Sequence, residues 1–141
     1  MKRLALIGGG GFAKEVAEVA ELCGYTVVGC VDDADSIRAP YRHWGGLNVL
    51  SQYRSEFDVV ALAIGAVDRR SFETRARIVS TIDQQGFALA KLVSPSATIA
   101  RGVKIESGVF VAHGVVVSVD AQLGRHVIPV SYTHLTLPTK A

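Results

Sequence analysis

The sequence predicts an α/β protein, with a small Rossmann-like parallel sheet followed by the start of a parallel β-helix made of hexapeptide repeats. Residues 97–128 carry aliphatic side chains at every sixth position. An α-helix cannot use a six-residue period and an ordinary strand alternates every two residues, so this repeat is typical of a β-solenoid. Before it, short apolar runs alternate with amphipathic stretches. Strands that alternate with helices predict an open, parallel sheet.

The strands and helices of residues 1–93 follow one another in a regular order. Residues 4–7 form an all-apolar run, as expected for a strand buried on both faces. Four glycines lead from it into a first amphipathic helix. Residues 25–31 predict a second strand, and residues 34–56 read as a loop.

A second strand–helix unit completes this region. Residues 58–63 predict a buried strand, Gly86 ends the helix that follows it, and residues 89–92 predict a last short strand. The apolar stripe of the helix is expected to consist of Phe72, Ala76, Val79 and Ile82.

The hexapeptide region, residues 94–128, contains two aliphatic series offset by two residues. The first is Ile99, Ile105, Val111, Val117 and Leu123, and the second is Ala97, Val103, Val109, Val115, Ala121 and Val127. Glycines at 102, 108 and 114 stand where a chain turning a corner needs a residue without a Cβ. We expect the first series to point inward and three six-residue faces to form each coil.

The glycine loop is the first motif that carries chemistry. Gly8, Gly10 and Ala13 fit G-x-G-x-x-A directly after a strand and before a helix, where backbone amides can approach a phosphate. Asp32 ends the second strand, where dinucleotide enzymes place an acid against ribose hydroxyls. These residues indicate a nucleotide site without saying which nucleotide.

The predicted site lies where the carboxyl ends of the strands meet. The unit is about half of a full dinucleotide-binding fold, which suits one nucleoside diphosphate better than NAD. The candidate binding residues at this edge are Gly10, Gly11, Phe12, Asp32, Asp33 and Gly65.

Several of these motifs occur in an order that resembles a known family. The segments are residues 7–16 (IGGGGFAKEV), 31–33 (VDD), 63–65 (AIG) and 92–97 (LVSPSA), the last opening the hexapeptide repeat. They resemble the sugar O- and N-acyltransferases of the sialic-acid and bacillosamine acetyltransferase group. The resemblance covers residues 2 to 128. One departure is Ala66, where family members commonly have Asp or Asn.

The resemblance implies both a mechanism and an assembly. Such enzymes bind a sugar, often nucleotide-linked, on the α/β unit, and their left-handed β-helix forms a homotrimer that holds acetyl-CoA between subunits. By this resemblance the three residues at positions 10–12 lie against the sugar nucleotide, the two aspartates take ribose or base groups, and Gly65 allows close approach. The family's catalytic base is a histidine beyond residue 128, so the catalytic residue of this chain is unknown and the chain is expected to be an inactive fragment.

The histidines that are present lack the flanking residues of that family motif. His113 and His126 occupy predicted solenoid corners that face solvent, and His43 beside Trp44 is expected to be structural or solvated. His134 lies in residues 129–141, where the hexapeptide register stops at Pro129. The run VSYTHLTLPT there resembles one translated reading frame of a sequencing-library adapter, which implies a non-native tail.

Composition excludes several classes of partner. The net charge of +2 is spread along the chain, which indicates no nucleic-acid surface, and no apolar stretch is long enough to span a membrane. Cys23 and Cys30 lack metal-ligand spacing, so no metal site is expected, and two reduced thiols favour a cytoplasmic protein. Two other functions stay open, an NAD-dependent oxidoreductase fragment and a non-catalytic sugar-nucleotide-binding module.

Overall fold

A four-stranded parallel sheet forms the first half of the protein. The computed structural model describes residues 2–34, 40–65 and 68–124. The sheet has the order β3-β2-β1-β4, and all three pairings are parallel. Its strands are β1 (Arg3–Ile7), β2 (Thr26–Val31), β3 (His43–Gly45) and β4 (Val59–Leu62). β1 and β4 are almost wholly buried, as an all-apolar parallel strand requires.

Helix α1 (Gly11–Leu22) begins directly after the glycine loop. Gly10 is its N-cap, and its buried side chains are all small or β-branched, namely Ala13, Val16, Ala17, Val19 and Ala20. Small side chains let the helix approach the sheet closely. The predicted helix is therefore confirmed, and its buried face packs against β1 and β2.

Helix α2 (Arg69–Gln85) is capped at both ends. The Asp68 carboxylate accepts a hydrogen bond from the Ser71 N–H at 2.8 Å, and the Ser71 hydroxyl accepts one from the Asp68 N–H at 3.0 Å. Gly86 ends the helix in the left-handed conformation with φ of 72°, as predicted. This pair of caps fixes both the start and the end of the helix.

The predicted apolar stripe of α2 is wrong in part. Phe72 is 59% exposed and Ala76 is exposed, whereas Ile82 is completely buried and Ile78 and Val79 pack beside it. At 100° per residue the buried face is rotated by roughly 60° from the predicted stripe. The helix takes this orientation because three aliphatic side chains of its C-terminal half outweigh one aromatic ring near its start.

The predicted loop at residues 34–56 is also wrong. It contains β3 and a 3₁₀ helix at Leu47–Glu56. β3 is held to β2 by backbone hydrogen bonds, and the Trp44 ring stacks on Tyr53 with centroids 4.6 Å apart. Strand β3 has only three residues, and the 3₁₀ helix buries a single side chain, Leu50. Neither element therefore gives a periodic pattern long enough to be recognised in the sequence.

The second half of the described chain is a parallel β-solenoid. Its two-residue strands are β5 (Leu92–Val93), β6 (Thr98–Ile99), β7 (Lys104–Ile105), β8 (Phe110–Val111), β9 (Val116–Val117) and β10 (Gln122–Leu123). β5 pairs with β8, β6 with β9 and β7 with β10. Each pairing joins residues eighteen apart, such as Thr98 and Val116, so three six-residue faces form each coil, as predicted.

The corners of the solenoid explain its glycines. Gly102, Gly108 and Gly114 have φ values of 79°, 82° and 72°. The next position in the same register is Asp120, with φ of 61°, and aspartate tolerates this conformation better than most residues. The six-residue spacing of the glycines is thus the spacing of the corners.

The interior of the solenoid and the α/β unit share one core. Val111, Val117 and Leu123 of the first aliphatic series are buried, and Ile99 and Ile105 are partly buried against the same cluster. That cluster also contains Val16 and other residues of α1, and the Phe12 and Phe110 rings meet edge to face across the junction at 5.5 Å. The solenoid therefore packs directly on α1.

The junction divides the last predicted strand of the α/β unit. Leu89 bridges to Val60 at the edge of the sheet, whereas Leu92–Val93 pairs with Phe110–Val111 of the solenoid. The division of the chain at residues 93 and 94 stays a prediction. His126, His134, Val127 and the whole of residues 129–141 lie outside the described residues. Within the part of the chain that the structure describes, no helix has the length and apolar character to cross a membrane.

Candidate functional site

The carboxyl ends of three neighbouring strands form one edge of the sheet. Ile7, the last residue of β1, is paired with Val31 of β2 on one side and Leu62 of β4 on the other. Past it, the Gly8 N–H donates to the Val31 carbonyl and the Ala63 N–H donates to the Ile7 carbonyl, both at 2.8 Å. The glycine loop, the aspartates after β2 and the segment after β4 are therefore side by side. We call this the carboxyl edge.

Asp32 joins the end of β2 to the glycine loop. One carboxylate oxygen accepts a hydrogen bond from the Gly9 N–H at 2.8 Å, and the other accepts one from the Ala34 N–H at 2.9 Å. A carboxylate has about four acceptor positions, so it retains capacity for ligand hydroxyls. Asp32 is partly buried, and it lies beside the loop as the sequence predicted.

The glycines of this edge differ in what a side chain at their position would meet. Gly8 has φ of 122°, and a Cβ there would lie 2.5 Å from the Ala63 carbonyl oxygen. A Cβ on Gly10 or on Gly65 would meet no atom within 4 Å, and neither glycine has a positive φ. Folding thus requires glycine at position 8, whereas positions 10 and 65 face open space in which a ligand backbone or phosphate could lie.

Two predicted binding residues are engaged elsewhere in this structure. The Phe12 ring packs against Phe110 of the solenoid. The Asp33 carboxylate accepts a hydrogen bond from the Leu47 N–H at 3.1 Å, at the start of the 3₁₀ helix. Gly11 is the first residue of α1. The carboxyl edge therefore brings together the main chain at 10–12, Asp32 and Gly65, while the side chains of Phe12 and Asp33 serve packing and capping.

His43 is a neighbour of this edge that sequence reasoning did not assign to it. Its Nε2 lies 2.9 Å from the Asp32 carbonyl oxygen. Because β3 was not predicted, nothing in the sequence placed His43 beside β2. The imidazole helps to hold the main chain of Asp32.

A second polar cluster lies at the junction of α1 and the solenoid. His113 Nδ1 is 2.5 Å from the Ser94 Oγ and 3.2 Å from the Ser96 Oγ, and His113 Nε2 is 2.9 Å from a Glu18 carboxylate oxygen. As predicted, His113 is exposed to solvent, with 39% of its side chain accessible, although both ring nitrogens have partners. Glu18 is ninety-five residues away in the chain, so no sequence spacing could reveal this contact.

This serine–histidine–glutamate cluster does not have the geometry of a hydrolytic triad. In such triads the serine contacts Nε2 and the acid contacts Nδ1, whereas here the two contacts are exchanged. Ser94 is also only 1% exposed, so no substrate reaches its hydroxyl. We call the cluster the junction clasp, because it ties the helix to the solenoid.

An open cleft of about 380 Å³ lies beside the clasp. It is lined by Lys14, Glu18, Glu21, Pro40 and Tyr41. The Tyr41 hydroxyl donates to Glu21 at 2.7 Å, and burial together with this carboxylate raises the pKa of Tyr41 to about 12. The raised pKa keeps the Tyr41 hydroxyl protonated, and able to donate to Glu21, even above its ordinary pKa of 10. None of the predicted site residues lines this cleft.

The α/β unit matches a known family over most of its length. The sequence profile of the PglD N-terminal domain matches residues 3–82. The chain belongs to that family. No curated protein matches the sequence significantly.

Several solved structures are similar to this chain over most of its length. An asparagine mutant of perosamine N-acetyltransferase from Caulobacter crescentus, in complex with CoA and GDP-perosamine, is 33% identical with a TM-score of 0.78. PerB from the same organism, with the same two ligands, is 32% identical with a TM-score of 0.75. The acetyltransferase domain of PglB from Neisseria gonorrhoeae, in complex with acetyl coenzyme A, is 28% identical with a TM-score of 0.79.

Each match covers a larger share of this chain than of the solved structure. The matches cover 91%, 91% and 95% of this chain and 60%, 59% and 64% of the three structures. The chain thus spans about 60% of the length of the first of them. These likenesses confirm the predicted fold class, a Rossmann-like sheet followed by the start of a left-handed β-helix.

Proposed function

We propose that this chain is the acceptor-binding part of an acetyl-CoA-dependent acetyltransferase that modifies a nucleotide-linked sugar in glycan biosynthesis. The observation that carries the proposal is the direct joining of a PglD N-terminal domain to a hexapeptide solenoid in one shared core. The solved structures with this same arrangement are acetyltransferases. Two of them hold CoA and GDP-perosamine together.

The carboxyl edge supports the acceptor half of the proposal. The positive end of α1 meets open space at Gly10, and open space continues at Gly65. Phosphates bind well at such helix N-termini, because unpaired N–H groups and the helix dipole both favour an anion. The Asp32 carboxylate beside the loop has acceptor positions left for ribose or base groups. We therefore propose Gly10, Gly11, Asp32 and Gly65 as the nucleotide-binding residues, with Phe12 and Asp33 in supporting positions.

The donor half of the proposal rests on the solenoid. In the resembling family, acetyl-CoA lies between neighbouring β-helices of a homotrimer, and a histidine accepts the proton of the acceptor amine or hydroxyl as it attacks the thioester. His113 is unsuited to that task, because Ser94 and Glu18 occupy its two ring nitrogens. We propose that the base follows residue 128 in the full protein and that the full protein is a trimer.

Two unpaired cysteines support a cytoplasmic location.

An acetyl-transfer assay tests this proposal. CoA release would be followed with a thiol reagent in mixtures of acetyl-CoA and nucleotide-linked amino sugars. We expect no turnover by the 141-residue chain, and turnover by a version in which residues 1–128 continue into the genomic sequence that follows. A lost general base alone costs about 10²–10⁴-fold in rate. Turnover by the 141-residue chain would overturn the placement of the base, and inactivity of the longer version would overturn the assignment as an acetyltransferase.

The two alternative functions make different predictions for ligand binding. A dehydrogenase fragment would bind NAD, and the acid after β2 is the feature that supports it. The sheet has four described strands in the order β3-β2-β1-β4, which is fewer than the six strands of a full dinucleotide fold. A non-catalytic module would bind nucleotide sugars, yet its longer version would release no CoA.

A further inference from the structure

Arg75 carries a positive charge that nothing in the described structure offsets. Its Nε and Nη2 atoms are the only buried side-chain nitrogen or oxygen atoms, among the residues that the structure describes, without a hydrogen-bond partner. Burial lowers the pKa of this guanidinium, but an arginine stays charged at physiological pH. Arg75 as a whole is partly buried, and a buried guanidinium nitrogen without a partner is unfavourable. An anion bound there would supply the acceptor that these nitrogens lack.

Helix α2 places Arg75 in its N-terminal half, which is the half nearer to the carboxyl edge. Arg75 lies seven residues before Ile82, so it stands two turns closer to the helix start on nearly the same face. Ile82 is completely buried in the core against the sheet. Side chains on a helix tilt toward its N-terminus, and α2 starts at Arg69, four residues after Gly65. A side chain at this position can reach back toward the edge where Gly10 and Gly65 leave open space.

The carboxylates of that edge are committed to backbone groups. Asp32 accepts hydrogen bonds from Gly9 and Ala34, Asp33 accepts one from Leu47, and Asp68 caps α2. Each of them stabilises a turn or a helix start, and none of them accepts a hydrogen bond from the two buried Arg75 nitrogens. An anion bound at this edge would supply the missing partner.

We infer that Arg75 binds the diphosphate group of the nucleotide sugar at the carboxyl edge. The planar guanidinium presents paired N–H donors that match phosphate oxygens, and the start of α1 at Gly10 supplies backbone N–H groups and a favourable dipole. This inference rests on the proposed function for the identity of the nucleotide. The unpartnered guanidinium nitrogens themselves call only for an anionic ligand.

The test compares thermal unfolding and ligand titration for wild type, Arg75→Met and Arg77→Met. Arg77 is an exposed arginine two residues further along the same helix, so its substitution is the matched control. The probes are inorganic pyrophosphate, UDP, GDP, the nucleosides uridine and guanosine, and CoA as the other source of a diphosphate. We expect Arg75→Met to weaken UDP, GDP and pyrophosphate binding by about 10- to 100-fold. Arg77→Met is expected to bind as wild type does.

The unfolding temperature separates binding from a structural role. Removing an unpaired buried charge is expected to leave the Tm of the free protein unchanged or raised, while the increase in Tm that UDP or GDP produces in wild type is lost. A lower Tm together with unchanged diphosphate affinity would show that Arg75 is structural and would overturn the inference. The inference would also be overturned if wild type bound none of pyrophosphate, UDP and GDP. It would be overturned as well if Arg75→Met lost affinity for CoA alone.

The outcomes also distinguish this inference from the proposed function. If wild type binds pyrophosphate through Arg75 but shows no preference for nucleotide sugars, the anion site stands and the proposed acceptor is wrong. If wild type binds nucleotide sugars and Arg75→Met binds them equally well, the acceptor stands and the role of Arg75 is wrong.

Discussion

The carboxylate of Asp32 accepts a hydrogen bond from the backbone N–H of Gly9 at 2.8 Å. This contact joins the end of β2 to the loop that opens α1, across twenty-three residues of sequence. The second oxygen holds Ala34, so a single side chain shapes both loops of the candidate site. The acid after β2 is consequently a structural element of the edge whatever ligand binds there.

Replacement of this carboxylate is expected to affect both folding and binding. In Asp32→Asn one of the two N–H groups loses its acceptor, because an amide offers one oxygen instead of two. We expect a loss of about 1–2 kcal/mol in the free energy of unfolding, together with weaker nucleotide-sugar binding. Urea unfolding and calorimetric titration measure the two effects. Unchanged stability would contradict the role given to the Gly9 contact.

The three glycines of the carboxyl edge should respond differently to substitution. Gly8→Ala is expected to destabilise the protein by about 1–3 kcal/mol through its backbone conformation alone. Gly10→Asn keeps a favourable N-cap residue and Gly65→Val adds bulk in open space, so both should fold normally and bind nucleotide sugar at least about tenfold more weakly. Ser107→Asn, at an exposed position of the solenoid, is the control. Normal binding by both Gly10→Asn and Gly65→Val would place the ligand elsewhere.

The cap of α2 predicts a defined pH dependence of stability. Hydrogen bonds from the Ser71 backbone and side chain lower the pKa of Asp68 below its ordinary value of 3.8. Because the folded-state pKa is the lower one, the stabilisation is present above the ordinary value and is lost as the pH falls through the lowered value. Wild type should therefore have a higher Tm than Asp68→Ala at neutral pH, with the difference shrinking below pH 3.8. A difference independent of pH would show that the charge is irrelevant to the cap.

The junction clasp is expected to depend on its histidine more than on its glutamate. Glu18 is 66% exposed in its side chain, so Glu18→Gln should cost at most about 0.5 kcal/mol. His113→Ala removes the contacts to the serines as well and should cost about 1–2 kcal/mol. Hydrogen exchange of the amides in β5 and β8 is the measurement, with faster exchange expected in His113→Ala. Equal effects of the two substitutions would contradict this ranking.

The repeating part of the fold was predictable from sequence, and the reasons are physical. A solenoid repeats one local geometry, so its inward side chains and its corner glycines recur at the same spacing, and eighteen-residue pairs such as Thr98 and Val116 follow from three faces per coil. The glycine loop and Asp32 were predictable because a parallel sheet places the ends of neighbouring strands at one edge.

The features that the sequence did not predict depend on contacts between distant residues. His43 comes beside Asp32 only because the short strand β3 pairs with β2. Glu18 and His113 meet because α1 packs on the solenoid. The inward position of Arg75 was not predicted for a related reason. The predicted apolar stripe of α2 included Phe72, and the observed buried face of the helix is rotated away from that residue. Helix orientation is set by packing, which local periodicity alone does not contain.

Calorimetric titration of the 141-residue chain with a nucleotide-linked amino sugar, beside a parallel titration with NAD, tests the central claim most directly. The carboxyl edge with Asp32 and the open positions at Gly10 and Gly65 predicts saturable binding of the nucleotide sugar, lost in Gly65→Val, and much weaker binding of NAD. Binding of NAD in preference to the nucleotide sugar, or no binding of the nucleotide sugar at all, would contradict it.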